Sequence, residues 1–181
     1  MKRFILLFLL LLLMSTYIKA NDIAKDTVWT KYGTNYGIVK FTMDSKKIVS
    51  CCENYIRIID VETSEIDKEI YDDNLTGIYI CVSKGGKYIA VDGLNGIHLY
   101  EAGTWKYIKN IGTDQRGNFD ISPDEKNIIR AEGEVARIYD IETGVVIKTI
   151  DYDLPVVNIL FVKYSPDGNK ICLITSQLSV D

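Results

Sequence analysis

Nine carboxylates are the residues of this chain best suited to chemistry. Glu53, Asp92, Glu132 and Glu134 recur beside short turns, and Asp72, Asp73, Asp114, Asp151 and Asp153 recur in polar connections; a single base, Arg116, stands among them. Carboxylates gathered on loops create a negative field that steers a divalent cation or a basic segment toward them. A pair at the right separation is also what glycoside hydrolysis requires, but nothing in these spacings selects a pair. Asp151-Tyr152-Asp153 lacks the spaced acid ladder and central Gly of a calcium loop. Asp is in any case a favoured turn residue, so no metal ligand is assigned.

Other reactive side chains are few. His98 is the only histidine and lies in a strand-like run, where a half-exposed strand residue is expected rather than a base. The chain has no nucleophile-elbow sequence, no His-Glu-x-x-His pair and no phosphate-cradling Gly loop. No catalytic or cofactor-binding residue and no cofactor is therefore expected. Cys51, Cys52, Cys81 and Cys172 match no disulfide or zinc spacing, and they read as small apolar strand residues. Asn74-Leu75-Thr76 is an N-glycosylation acceptor in a chain exported by a eukaryote.

The elements that would hold these residues are strands. With 47% hydrophobic and 25% charged residues, 181 residues suffice for one domain with a packed core. Ile, Val, Tyr and Thr abound after residue 20, while Ala and Leu become sparse, which favours β structure. Residues 1–20 stand apart: Lys2 and Arg3 precede an apolar run from Phe4 to Met14, and a polar stretch begins after Ala20, the pattern of a secretory signal peptide. The run is shorter than the roughly 20 apolar residues of a membrane span, although Ile18 is large for a cleavage site and leaves an uncleaved membrane anchor as the alternative. A secreted or periplasmic protein is expected. Its removal takes away three bases, leaving 18 Lys and Arg against 25 acids, a net charge of about −7. Nucleic acid, which is bound largely through Lys and Arg on phosphates, is not an expected partner.

The segments "IRIIDVETS", "IHLYEAGTW" and "ARIYDIETG" say the same thing three times. The acids that close them, Asp60, Glu101 and Asp140, are 41 and 39 residues apart. A second series, "MDSKKIVS" from Met43, "SKGGKYIA" from Ser83, "SPDEKNII" from Ser122 and "SPDGNKIC" from Ser165, is spaced by 40, 39 and 43. Two landmarks with one period indicate a repeat. Each period holds four short β-branched runs bounded by Gly, Pro, Asp and Asn, which predicts four antiparallel strands joined by tight turns. One such sheet cannot bury both faces, whereas sheets stacked around an axis can, which predicts a β-propeller. Asp60, Glu101 and Asp140 are expected to be corner residues that accept hydrogen bonds from nearby backbone amides.

A period near 40 with "RIYDIETG" ending the third strand resembles the WD40 repeat, and "SPDGNKI" resembles the bacterial relatives of that family, in which Ser-Pro-Asp-Gly joins the first two strands. The resemblance spans about residues 36–176. It implies a propeller fold and leaves function open, because propellers serve as scaffolds and enzymes alike. The chain departs from the family where Trp-Asp becomes Ile59-Asp60, Tyr100-Glu101 and Tyr139-Asp140, and where the Gly-His pair and the Asp of the turn between strands two and three are missing. The family's His-Asp network is therefore not expected.

The resulting plan has a signal peptide at 1–20, a segment at 21–35 in which Val28 to Thr34 could supply a ring-closing strand, and a propeller segment at 36–181. Blades are expected at 36–71, 76–111 and 116–152, with a partial fourth at 156–176. Strand alternation puts the nine acids on one rim, suited to a protein or peptide partner of basic character. The expected function is that of an exported, non-catalytic binding scaffold. A fragment of an enzymatic or cofactor-binding propeller of the lactonase or quinoprotein kind, a truncated gene product, and a ring completed by self-association are the alternatives.

Overall fold

The computed structural model describes residues 38–52, 54–115, 117–151 and 157–177. The signal-peptide reading, the ring-closing strand at Val28 to Thr34, and Glu53, Arg116 and Asp153 lie outside the described residues. Among the described residues all regular structure is β, and it forms three four-stranded antiparallel sheets and one two-stranded sheet. The first sheet holds β1 (Ile38–Phe41), β2 (Lys47–Cys52), β3 (Tyr55–Asp60) and β4 (Ile66–Tyr71). The second holds β5 (Leu75–Val82), β6 (Tyr88–Gly93), β7 (Gly96–Glu101) and β8 (Lys106–Ile111). The third holds β9 (Phe119–Ile121), β10 (Asn127–Glu132), β11 (Val135–Asp140) and β12 (Val146–Ile150), and the last pairs β13 (Val157–Tyr164) with β14 (Ile171–Gln177). Within every sheet the strands lie in chain order. The chain is thus an all-β protein of propeller-type blades, three complete and a partial fourth among the described residues.

Alternation along the strands explains the stacking. Ile89 and Val91 of β6 join Val49, Cys51, Ile56 and Ile58 of the first sheet in one core. Their neighbours Tyr88 and Ala90 point the other way and join Phe119, Ile121 and Ile128 of the third sheet in another. The same switch on β10 sends Ile128 toward the second sheet, and Ile129 and Ala131 toward Ile159 and Val162 of the last. Sheets two and three are buried on both faces, which is why β6 and β7 read as near-continuous apolar runs. Burying each of these Ile and Val side chains contributes on the order of 1.5–3 kcal/mol.

Two kinds of turn fix the ends of the strands. Between the first and second strands of each sheet a hydroxyl accepts the backbone N–H five residues on: Thr42 from Lys47 at 3.0 Å, Ser83 from Tyr88 at 2.8 Å, Ser122 from Asn127 at 2.9 Å and Ser165 from Lys170 at 2.8 Å. The repeating residue in the first sheet is therefore Thr42 rather than Met43. In three of these turns an Asp two residues after the hydroxyl, Asp44, Asp124 or Asp167, accepts that hydroxyl's proton and a backbone N–H of the turn. The second sheet has Gly85 there and borrows a carboxylate: Glu125 of the third sheet accepts from the Ser83 hydroxyl and, at 3.1 Å, from the Lys87 N–H. A Cβ on Gly85 would lie 2.6 Å from that carboxylate, so the small residue and the imported acid go together.

The corner after the third strand closes through a second motif. Asp60 accepts the N–H groups of Glu62 and Thr63 at 2.9 and 2.8 Å, and Asp140 accepts the N–H and hydroxyl of Thr143, both at 2.7 Å. Glu101, one methylene longer, accepts instead from the Thr104 hydroxyl at 2.6 Å. A left-handed residue completes each corner, and only the third uses Gly: Ser64, Trp105 and Gly144 have φ of 62°, 60° and 77°.

These turn carboxylates are held below the usual Asp range. The Thr42, Ser122 and Ser165 hydroxyls do this for Asp44, Asp124 and Asp167, the Lys47 ammonium for Asp60, and the Thr143 hydroxyl for Asp140. A depressed folded value stabilises fully above the unfolded value and ceases to do so as the acid protonates in the fold. Thermal unfolding followed by circular dichroism is therefore expected to keep one midpoint down to about pH 5 and to fall progressively below about pH 4. Asp124→Asn with Asp167→Asn should flatten that acid limb; an unchanged limb would contradict the assignment.

Candidate functional site

Sheet topology gathers the two-residue hairpins between second and third strands and the connections between sheets at one end of the strands. Among the described residues the complete hairpins are 94–95 and 133–134, as the turn residues predict, and Asn54 precedes β3 at the corresponding place in the first sheet. The nine sequence-selected acids do not share one environment there. Asp73, Asp114, Glu134 and Asp151 are exposed, and Asp72 keeps a quarter of its side chain in solvent. Asp92 and Glu132, at 0% and 5% exposure, are not on the rim surface. Asp92 is the penultimate residue of β6 and Glu132 the last of β10, so both belong to strands rather than to the turns that follow. Alternation aims Asp92, like Tyr88 and Ala90, at the third sheet.

The two buried acids are matched by arginines. Arg130, fully buried on β10, donates to Asp92 at 2.8 Å and to the Thr113 carbonyl at 3.0 Å. The Thr76 hydroxyl lies 3.0 Å from the other oxygen of Asp92. Across the strand pair Arg130 faces Arg137, which forms an ion pair with Glu132, and Glu132 also accepts from the Tyr139 hydroxyl. An Asp–Arg pair thus bridges the second and third sheets just beneath the acidic end, with a Glu–Arg–Tyr group beside it. The Gly-His and turn-Asp positions that the sequence lacks are replaced by side chains on the strands themselves. Burial with Glu132 as its hydrogen-bond acceptor pushes the Tyr139 hydroxyl well above its ordinary range.

His98 is buried, at 3% exposure, rather than half-exposed. It lies on the face of β7 that meets the first sheet, with Nδ1 3.1 Å from Asp72 and Nε2 2.9 Å from the Asn95 side-chain oxygen. Burial raises the Asp72 value, but the Asn74 N–H and side-chain amide and the His98 ring outweigh it, and the carboxyl ends below its ordinary range. His98 thereby anchors a connection instead of offering a free base. Packing against Gly93 is tight, since a Cβ there would come within 2.6 Å of the His98 ring.

Cys51 and Cys81 are buried in the cores, Cys52 is half-buried, and Cys172 is exposed. Burial pushes Cys51 to about 12 and Cys81 to about 11. Among the described residues no three His, Cys, Asp or Glu side chains are placed to hold a metal ion. The sequence reading missed a tyrosine cluster: Tyr71, Tyr100 and Tyr107 line a cavity of about 400 Å³ together with Asp72 and Asp73. Tyr71 closes β4 and Tyr107 stands near the start of β8, outer strands of different repeats, and only the stacking of two sheets brings them together.

No family model matches the chain, and no curated protein matches it. Solved structures do. Hydrazine synthase from Kuenenia stuttgartiensis is similar with a TM-score of 0.66 and 16% identity over 90% of this chain and 46% of that one. The structure of U3-55K and the crystal structure of RRP9 WD40 repeats are each similar with a TM-score of 0.58 and 14% identity over 72% of this chain, and over 43% and 42% of theirs. The chain spans less than half the length of each. These likenesses show the fold, and the neighbours include WD40 repeat proteins.

The buried pair makes a sharp expectation. Arg130→Ala leaves Asp92 without its cation and should cost about 3–5 kcal/mol in urea unfolding. Arg130→Met with Asp92→Leu should recover most of that loss, because two apolar side chains need no partner. Equal losses for the single and double variants would show that the pair does not couple the sheets.

Proposed function

We propose that this chain is a divergent, WD40-like repeat protein, exported and acting as a non-catalytic platform that binds a protein or peptide of basic character. The observation that carries this is the exposure of Asp73, Asp114, Glu134 and Asp151 on loops leaving one end of the stacked sheets. Loops held by a rigid scaffold are where binding residues concentrate, and the net negative charge reinforces the attraction. Support for a scaffold also comes from the WD40 repeat proteins among the structural neighbours. The hydrophobic run after Lys2 and Arg3 supports export, and N-terminal sequencing of the protein recovered from an exporting host should begin at Asn21.

The acidic-end reading is tested by fluorescence anisotropy with a labelled lysine-rich peptide. Binding should weaken steeply between low and physiological salt, as exposed charges are screened over about 8–10 Å. Asp73→Asn, Asp114→Asn, Glu134→Gln and Asp151→Asn together should abolish it while leaving the unfolding midpoint nearly unchanged. Retained binding in that variant would refute the assignment of the acidic end. Light scattering on the same sample reads self-association: a one-chain mass means the described sheets suffice, and a two-chain mass means that a second copy completes the stack.

A further inference from the structure

The cleft between the first and second sheets, which runs from the acidic end at Asp72 and Asp73 along the second sheet to Tyr100 and Tyr107, is built differently from the rest of that surface. Its walls are aromatic and its charges are of one sign. Tyr71 comes from β4, Tyr100 from β7 and Tyr107 from β8, and Asp72 and Asp73 come from the connection between the sheets. Among the described residues no Lys or Arg lines the cavity. Tyr71 and Tyr107 expose 57% and 46% of their surface, so ring faces are available to a ligand. Their orientations are set by neighbours: Tyr107 meets Tyr100 edge-on at 5.6 Å and His98 at 5.7 Å, while Tyr71 leans on Tyr55 at 5.0 Å and donates its hydroxyl to Asp73.

Tyr100 supplies an independent polar feature of the cavity. The residue is 3% exposed and lines the cavity, and among the described residues its hydroxyl has no hydrogen-bond partner, yet it is not one of the enclosed polar atoms left without one, so the oxygen opens into the cavity. A Tyr hydroxyl so placed is free to pair with whatever enters. Asp72 is saturated by Asn74 and His98, with His98 turned away onto Asn95, whereas among the described residues Asp73 accepts only through Oδ1. The cavity therefore offers ring faces, an apolar wall at Ile70, an unused carboxylate oxygen and an unused phenol. A metal ion would find too few oxygen ligands here. An anion would meet two carboxylates.

We propose that this cleft is a subsite for an alkylammonium cation, with the alkyl stem against Tyr107 and Tyr71 and the positive end against the ring faces and Asp73. Aromatic faces attract such cations through the ring quadrupole. This rests on reading the acidic end as a binding surface for basic partners, and it names the chemistry of one contact on that surface. The cation is the side chain of a lysine in a bound peptide or a free quaternary amine, and the Tyr100 hydroxyl separates the two. It can accept an N–H from lysine and has nothing to accept from a quaternary nitrogen.

The test is calorimetric titration of the full protein with Nα-acetyl-lysine methylamide, with choline, and with 3,3-dimethylbutanol, the uncharged isostere of choline. The lysine derivative and choline should bind and the alcohol should not. Tyr107→Leu, an exposed site checked for folding by circular dichroism, should weaken both cations about tenfold. Tyr100→Phe should weaken the lysine derivative and leave choline unchanged if lysine is the natural occupant. Equal weakening of both would assign the site to the cleft's shape and overturn the role given to the hydroxyl. Binding of the alcohol as tightly as choline, or no effect of Tyr107→Leu, would overturn the subsite. The labelled lysine-rich peptide separates this from the broader reading: binding that survives Tyr107→Leu but is lost on Asp114→Asn with Glu134→Gln refutes the cleft and leaves the acidic platform standing.

Discussion

Everything in this protein depends on burying both faces of a four-stranded sheet. A twisted sheet of this width has an apolar set of side chains on each side, and no hairpin within the sheet can cover either one. The second sheet meets the requirement on both sides, with Val91 and Ala90, adjacent in one strand, each at 0% exposure in different cores. From this follow the repeat period, the near-continuous apolar strands and the placement of loops at the ends. The first sheet has one such partner among the described residues, and its other face carries Ser50, Tyr55 and Arg57.

Turn chemistry lets the stack tolerate a sequence that drifts. The Ser-Pro-Asp-Gly turn needs a hydroxyl, a carboxylate and a residue with positive φ, and the four copies meet these needs unequally. Ser165, Asp167 and Gly168 satisfy all three within one turn. In the third sheet Glu125 takes the left-handed position at φ 59°, a conformation costly for a residue with a Cβ. Its side chain supplies the carboxylate that the second sheet lacks at Gly85. Strain in one turn is thus coupled to a contact between sheets, and neither residue is explicable from its own repeat.

The period, the strands, the two-residue hairpins and the Asp-Thr corners were legible in the sequence because each is a local matter of turn residues and alternation. The site was legible in part. Asp73, Asp114, Glu134 and Asp151 sit in loops and are exposed, as a reading of loop composition expects. Asp92 and Glu132 were misplaced because each lies in the last two residues of a strand, where alternation and not loop membership decides exposure. Aligning the repeats offers a usable signal: Asp92 stands level with the buried residues Cys51 and Ala131 of the neighbouring copies. His98 was misjudged for a similar reason, since its partners, Asp72 and Asn95, come from a connection and a hairpin. The Tyr71, Tyr100 and Tyr107 cleft had no sequence signal at all, because it exists only between two sheets.

The acids divide into two populations with opposite physical roles. Asp92 and Glu132 lose their hydration and recover it from Arg130, Thr76, Arg137 and Tyr139, so their charge is spent inside the molecule and contributes little field outside. Asp73, Asp114, Glu134 and Asp151 keep their hydration and act on what approaches from solvent. A buried pair lying just beneath an exposed set serves the exposed set, because it holds two sheets in register without adding compensating positive charge to the surface. Had Arg130 or Arg137 projected from the rim, each would have cancelled a carboxylate there. Burying Arg130 beside Asp92 and tying the partly exposed Arg137 to Glu132 leaves the described surface of this end with acids in excess, and that excess, rather than any one residue, is what a basic partner would meet first.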